Sequence, residues 1–338
     1  MGYYVGLDLH SNNTYLGVMD ERGNQVYRNK VGNVIELILS ELESFKQKTE
    51  GVVVESTFNW YWLVDGLMES GYKMHLANPV AIKQYEGLKN TNDYTDVFHL
   101  ADLLRLGILP EGYIYPKQQR AIRDLLRKRL MLVRHRTSHI LSFQSLYNRQ
   151  KGCKFRGAEV KRLKETDLDG LFASEYVTHA GEVDISLIRF LTQKIEEIER
   201  VVLEYMKLQS EFLKLGTVYG IGKILALTIA LETGDIKRFP GVGNYASYCR
   251  CVSSQRISNH KKKGQNNRKN GNKHLGWAYV EAANFARRYY PSARRFYQRK
   301  LAKTNKIVAI KALAHKLARA SYFVMRDRVD FEPEKLFG

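Results

Sequence analysis

Four acidic residues stand where an ordinary fold has little use for them. Asp8 lies in the apolar run Tyr3-Tyr4-Val5-Gly6-Leu7-Asp8-Leu9-His10, and Glu55 closes another, Gly51-Val52-Val53-Val54-Glu55. Asp93 and Asp96 sit three apart in Thr91-Asn92-Asp93-Tyr94-Thr95-Asp96, ahead of an apolar helical pattern with Leu100, Leu103, Leu104 and Ile108. A carboxylate among apolar residues is costly unless it is paired or binds a cation. Several converging carboxylates can hold two oxygen-ligated divalent ions roughly 3.5–4 Å apart, which activates water and stabilises the leaving oxygen in phosphodiester cleavage. Each acid also has a plain structural reading. Asp8 can cap the Ser-Asn-Asn turn behind it, and Asp93 or Thr95 can cap the following helix, with Asp96 favoured by the helix dipole. Taken as a set, the four weigh toward a metal site, with Mg2+ (or Mn2+) as the ion.

The elements that must position these acids are legible as pattern. Tyr3 to His10, Thr14 to Asp20 and Gln25 to Lys30 read as an antiparallel meander, with Glu21-Arg22-Gly23-Asn24 as a turn. A helix with Val34, Leu37, Ile38, Leu42 and Phe45 follows, then the β-branched run to Glu55, a helix from Tyr61 to Ser70, a strand from Lys73 to Ala77 and a helix start at Asn78-Pro79. This predicts an α/β domain over residues 1–110, with Asp8 and Glu55 at strand ends, where open α/β sheets form their sites. Residues 111–214 predict two long helices. The first runs from Lys117 to Arg149; the second starts near Ile185, with Ile188, Leu191, Ile195, Ile198, Val202 and Tyr205 spaced alternately by 3 and 4. That is a heptad seam, to be filled either by a hairpin within the chain or by a second chain. Residues 215–338 predict a mostly helical, basic domain.

Charge divides the same way. Residues 1–110 carry 9 Lys/Arg and 14 Asp/Glu, residues 111–214 carry 20 and 14, and residues 215–338 carry 25 and 7, within a total net charge of +19. An acidic head on a basic body fits carboxylates gathered for metal and cations gathered for nucleic acid. Cys153, Cys249 and Cys251 make no disulfide framework, so packing in a reducing compartment is expected. No stretch reaches the roughly 20 apolar residues needed to span a bilayer, and the opening residues predict no leader. A cytoplasmic, nucleoid-associated protein with no membrane partner is expected.

Two basic stretches point to phosphate. Gly220-Ile221-Gly222-Lys223 can present backbone N–H groups in the manner of a helix-hairpin-helix, or simply turn the chain between helices. Between Cys251 and Lys273 lie seven cations and no acid from Arg256 onward: Arg256, Lys261, Lys262, Lys263, Arg268, Lys269 and Lys273. This predicts a mobile phosphate-binding loop. Further on, Arg287-Arg288-Tyr289-Tyr290 and Arg294-Arg295-Phe296-Tyr297 interleave cations with aromatics, as suits phosphate binding and stacking on exposed bases, or a helical cap with a solvated basic face.

The strand Gly6-Leu7-Asp8, the segment Val54-Glu55-Ser56-Thr57-x-Asn59-Trp60 and Asn92-Asp93-x-x-Asp96 resemble the acidic motifs of DEDD-type, RuvC-like insertion-sequence transposases, relatives of the Piv invertase and of bridge-RNA-guided recombinases. The third motif departs from the usual Lys-Thr-Asp-x-x-Asp-Ala in its flanks, with Thr91-Asn92 before Asp93 and Val97 after Asp96. The C-terminal segment is similar to that family's as well, through Lys269-Asn270-Gly271-Asn272-Lys273-His274-Leu275. The resemblance implies a RNase H/RuvC-like catalytic domain, a dimerising coiled coil, and a serine nucleophile shortly before the basic loop. The matching residue is Ser258, with Ser254 second because the family's following Gly is Asn259 here. It also implies donor and target DNA as partners, a structured noncoding guide RNA, and a homodimer or homotetramer. Two other functions fit the same residues, a RuvC-like junction resolvase using metal-activated water and a non-catalytic nucleic-acid binder.

Overall fold

Alternating side chains along the first strand decide the layering of the N-terminal part. In the computed structural model, which describes residues 2–82, 92–207, 213–252, 256–264 and 270–337, β1 (Tyr3–Leu9), β2 (Asn13–Asp20) and β3 (Gln25–Gly32) form an antiparallel meander. After α1 (Ile35–Leu42), β4 (Thr49–Glu55) runs parallel to β1. After α2 (Tyr61–Glu69), β5 (Met74–Ala77) runs parallel to β4, followed by α3 (Pro79–Ile82) and α4 (Asp93–Arg105). The sheet order is β3-β2-β1-β4-β5. Val5, Leu7, Val52 and Val54 face α1 and α2, where Ile38, Leu42, Leu63 and Leu67 cover them. The opposite face is covered by α4, through Val97, Phe98 and Ala101 against Met19, and through Leu100 and Leu103 against Val53. The first helix departs from its expected face: it starts after Val34 and buries Ile38 and Leu42, leaving Val34 and Leu37 about half exposed, at 47% and 50%.

The chain divides into two compact units, Met1–Lys117 and Gln118–Gly338. In the second, α5 (Lys117–Lys151) continues to α6 (Gly157–Val160) and α7 (Glu175–Lys207). The two long helices pair antiparallel within the chain, Arg129 with Glu199, Arg136 Nη1 donating to Thr192 Oγ1 at 3.1 Å, and His139 Nδ1 2.9 Å from Asp184 Oδ1. The heptad seam is therefore filled from within: Ile188, Ile195 and Val202 are buried, joined by Ile140 and Phe143 of α5.

The remaining elements are α8 (Lys223–Thr233), α9 (Val242–Tyr248), a two-stranded hairpin of β6 (Arg256–Ser258) and β7 (Lys261–Gly264), α10 (Lys273–Tyr289), α11 (Pro291–Leu301), α12 (Lys306–Asp327) and α13 (Pro333–Phe337). An alanine face on α10, made of Ala278, Ala282, Ala283 and Ala286, lets its neighbours come close. No helix among the described residues is long and apolar enough to cross a membrane.

Candidate active site

The acidic corner begins with a missing side chain. Tyr4, Gly6 and Asp8 point to the α4 face of β1, and a Cβ on Gly6 would lie 1.9 Å from the Val97 carbonyl oxygen. Glycine thus lets α4 lie directly on the strand, and the first turn of α4 carries Asp93 to the end where Asp8 emerges. Asn92 caps that helix by accepting from Thr95 N at 2.9 Å, so Asp93 is released from the capping duty it was a candidate for. An asparagine performs there what a threonine in the family's motif can also perform.

His10, two residues beyond Asp8 on the same side of the strand, completes the group. Its Nε2 lies 3.1 Å from Asp8 Oδ2 and 3.5 Å from Asp93 Oδ1. Candidate ligand atoms of Asp8, His10 and Asp93 all lie within 4.8 Å of one another. Glu55 closes β4 on the same α4-facing side of the sheet as Asp8, and Asp96 is exposed one turn along α4; neither is part of that close group. Burial pushes the Asp8 carboxyl upward, His10 draws it down, and Asp93 and Asp96 raise it again, leaving it above the usual carboxylate range. Crowded carboxylates repel by about 1–4 kcal/mol at 4 Å in a partly screened setting. Burying Val97, Leu100 and Leu103 contributes about 1.5–3 kcal/mol each, so packing of α4 holds the acids together.

The strand exit is pinned by amides from two other segments. Asn33 Nδ2 and Asn59 Nδ2 both donate to the His10 carbonyl, at 2.9 and 3.1 Å, and Thr57 Oγ1 donates to Asn59 Oδ1 at 3.0 Å. The residues after Glu55 therefore serve to fix the end of the neighbouring strand. Sequence reading missed His10; the signal available was its i+2 spacing from Asp8 on a strand.

The basic loop is in part a hairpin. Asn259 and His260 have φ of +49° and +58°, a two-residue turn of the kind that joins antiparallel strands, and Ser258 pairs in register with Lys261. Asparagine is among the few residues with a Cβ that adopt this left-handed backbone readily, which suits Asn259 to the turn. Ser258, Asn259, His260, Lys261 and Lys263 are all exposed. Ser254, Arg268 and Lys269, and the side chains of Arg256 and Lys262, lie outside the described residues.

Both roots of this segment are tied to one place. Cys251 N donates to Ala246 O at 3.1 Å, and Asn272 N donates to Tyr248 O at 2.6 Å. Arg250 Nε donates to the carbonyls of Asn270 and Gly271 at 3.0 and 3.1 Å. Asn272 Oδ1 caps α10, and its Nδ2 donates at 2.7 Å to Glu232, a carboxylate 1% exposed that also accepts two bonds from Arg127 at 2.6 and 2.7 Å. Burial works against the Glu232 charge, but Arg127 and Asn272 outweigh it and hold its carboxyl below the usual range. His274 is pushed down to about 4, chiefly by burial.

In the Gly-Ile-Gly turn the two glycines differ. Gly220 has φ +78°, and a Cβ there would lie 2.1 Å from Ala282 O, so it is required for packing on α10. Gly222 caps α8 in open space, and both it and Lys223 are exposed, as is Lys273 at the start of α10.

Two comparisons bear on these sites. Residues 5–149, which carry Asp8, Glu55, Asp93 and Asp96, match a transposase family model of the DEDD, IS110 type, and residues 213–298, which carry Ser258, match the model described as transposase IS116/IS110/IS902 family. The chain is also 24% identical over 343 residues to the transposase for insertion sequence element IS1328 of Yersinia enterocolitica, a similarity covering 95% of this chain and 96% of that one.

Proposed function

Because the chain belongs to the IS116/IS110/IS902 family of transposases, we propose that it cuts and rejoins DNA site-specifically through a serine nucleophile and a divalent-metal site. The N-terminal unit is read as RNase H/RuvC-like, which the sheet order, with three antiparallel strands leading into two parallel ones, supports. Asp8 and Asp93, with His10, Glu55 and Asp96, would hold Mg2+ or Mn2+, and oxygen donors joined by one imidazole fit either ion, Mn2+ the better. The bound cation supplies positive charge beside the phosphate.

Ser258 Oγ attacks the phosphorus and gives up its hydroxyl proton to solvent; one P–O bond forms, the bond to the leaving sugar oxygen breaks, and that oxygen takes up a proton from solvent, so the protons balance. One phosphoester replaces another, so rejoining needs no external energy. Lys261, opposite Ser258 in the hairpin, offers a cation on the serine's face for the charge that develops. The observation that carries this reading is the turn that sets Ser258 at an exposed tip, with an asparagine suited to the backbone it adopts. Donor and target DNA, a structured noncoding guide RNA and a homodimer or homotetramer complete the proposal, supported by the excess of 25 Lys/Arg over 7 Asp/Glu after residue 214.

The test is a covalent adduct trapped on denaturing gels with the element's DNA ends and Mg2+ or Mn2+. Ser258→Ala is expected to lose the adduct and keep DNA binding, while Ser254→Ala keeps both. An adduct that persists in Ser258→Ala sinks the assignment of the nucleophile. Cut DNA with no adduct in the wild type means that water attacks, as in a resolvase. RNA that co-purifies, and whose removal stops recombination, checks the guide.

A further inference from the structure

The two runs that interleave arginine with aromatics are sorted by the fold into used and open rings. Tyr290 stacks on Tyr219 with centroids 3.9 Å apart, Phe296 packs against Phe337, and Tyr297 is 8% exposed. These belong to the core. What stays open is a pair one turn apart on α10, Phe285 at 45% and Tyr289 at 61% exposure, with planes 13° apart. Two large exposed aromatics side by side are an unusual surface for a basic helix.

Beside Phe285, between α10 and α11, runs a groove of about 590 Å³ lined also by Arg287, Arg288, Arg294, Tyr297 and Glu281. Its arginines are held in place rather than free to wander. Arg287 donates to Asn284 Oδ1 at 3.2 Å and lies over the Tyr297 ring at 5.0 Å. Arg294 donates to the Arg287 carbonyl at 3.2 Å and to that of Arg288, and Arg288 lies 5.3 Å over the Tyr289 ring. Planar guanidinium groups beside exposed rings match a nucleotide, whose phosphate takes the first and whose base takes the second. Glu281 in the same groove disfavours a second phosphate and offers an acceptor to a base's N–H groups. Base faces are available only where a strand is unpaired, since a duplex hides them in its stack.

We propose that the groove between α10 and α11, together with the exposed α10 surface beside it, binds an unpaired stretch of DNA, with bases on Phe285 and on Tyr289 next to the groove and phosphate on Arg287 and Arg288. This rests on the transposase reading in one respect: exchanging strands between two duplexes opens base pairs at the exchange point, and that identifies the strand as DNA. The groove holds the opened strand, a task separate from the chemistry at Ser258.

The test uses the full-length protein and short labelled oligonucleotides lacking any recombination site, so adduct formation plays no part in the readout. Affinity is followed by fluorescence anisotropy for a single DNA strand, the same sequence as duplex, and the same sequence as RNA. A 2-aminopurine base in the strand reports stacking by quenching. Phe285→Ala with Tyr289→Ala is expected to weaken the single DNA strand roughly tenfold or more and abolish the quenching, with duplex affinity changed by less than about twofold, as the duplex term is carried by phosphate contacts elsewhere. Arg288→Gln is expected to weaken the single strand with a reduced salt slope. Circular dichroism of these surface variants is expected to match wild type. Equal loss for strand and duplex, no loss for either, or RNA bound more tightly than DNA overturns the proposal. Loss of the Ser258 adduct is scored separately, so either idea can fail alone.

Discussion

Asn272 donates to Glu232 at 2.7 Å while its other amide atom caps α10, so a carboxylate buried in the helical unit sets where the serine-bearing segment rejoins the fold. Glu232 is paired with Arg127 from within α5, which ties the end of α8 and the start of α10 to that long helix. Replacing Glu232 by Gln removes the closest counter-charge of Arg127, which is 35% exposed and keeps Asp124 Oδ1 at 3.8 Å. We expect a loss of about 2 kcal/mol, less than for a fully buried pair because Arg127 can recover water. A urea titration checks the value, and a Glu232→Gln midpoint equal to wild type would remove the network from any account of stability.

The same network fixes an acid sensitivity. His274 has a folded pKa of about 4 against 6.5 ordinarily, so between those values the unfolded chain binds the proton and the folded one does not. Stability contributed by the neutral ring is full above pH 6.5 and falls as pH drops toward 4. Glu232, held below its ordinary 4.5, adds a loss only below that pH. In His274→Gln the melting temperature is expected to lose part of its slope between pH 6.5 and 4.5, the remainder belonging to His315, which burial and Arg319 also push below its ordinary value, and to keep the fall below pH 4.5. An unchanged slope would show that the titrating group lies elsewhere.

Much of the N-terminal architecture was legible because strand alternation and helical spacing are local. Asp8 and Glu55 at strand ends follow from that alone. The meeting of Asp8 with Asp93 does not, because it depends on Gly6 admitting Val97 of a helix some 90 residues away. For His10 the i+2 spacing from Asp8 is the one local signal, and it gains meaning only when Asp93 arrives beside it. The basic segment reads as a loop because its turn, Asn259-His260, lacks the glycine that usually announces a two-residue hairpin. The long helices showed their seam but not their partner, since a heptad pattern reads the same whether the second helix comes from the same chain or another.

Asn259 offers a direct check on the hairpin. Its left-handed backbone costs a residue with a branched Cβ roughly 1–2 kcal/mol, and glycine nothing. Asn259→Gly is therefore expected to preserve adduct formation at Ser258, and Asn259→Val to slow it about tenfold or more without weakening DNA binding comparably. Single-turnover kinetics of the adduct distinguish them. If Val and Gly behave alike, the turn does not position the serine.

Gly6 tests whether packing builds the metal corner. A methyl at this position meets the Val97 carbonyl at 1.9 Å, a backbone atom that cannot swing aside, so Gly6→Ala must push α4 away from β1. The acids then separate although none has been altered. We expect Gly6→Ala to lower Mn2+ affinity about tenfold or more, in the range seen when groups that orient metal ligands are lost, and to destabilise the N-terminal unit. Gly32 has nothing within 4 Å of an added Cβ, so Gly32→Ala serves as the control and is expected to bind Mn2+ as wild type does. Asp8→Asn is expected to abolish Mn2+ binding without the loss in melting temperature that Gly6→Ala shows. Calorimetric titration with Mn2+ alongside thermal melts separates the two effects. Should Gly6→Ala bind Mn2+ normally, the close approach of α4 is a matter of stability only.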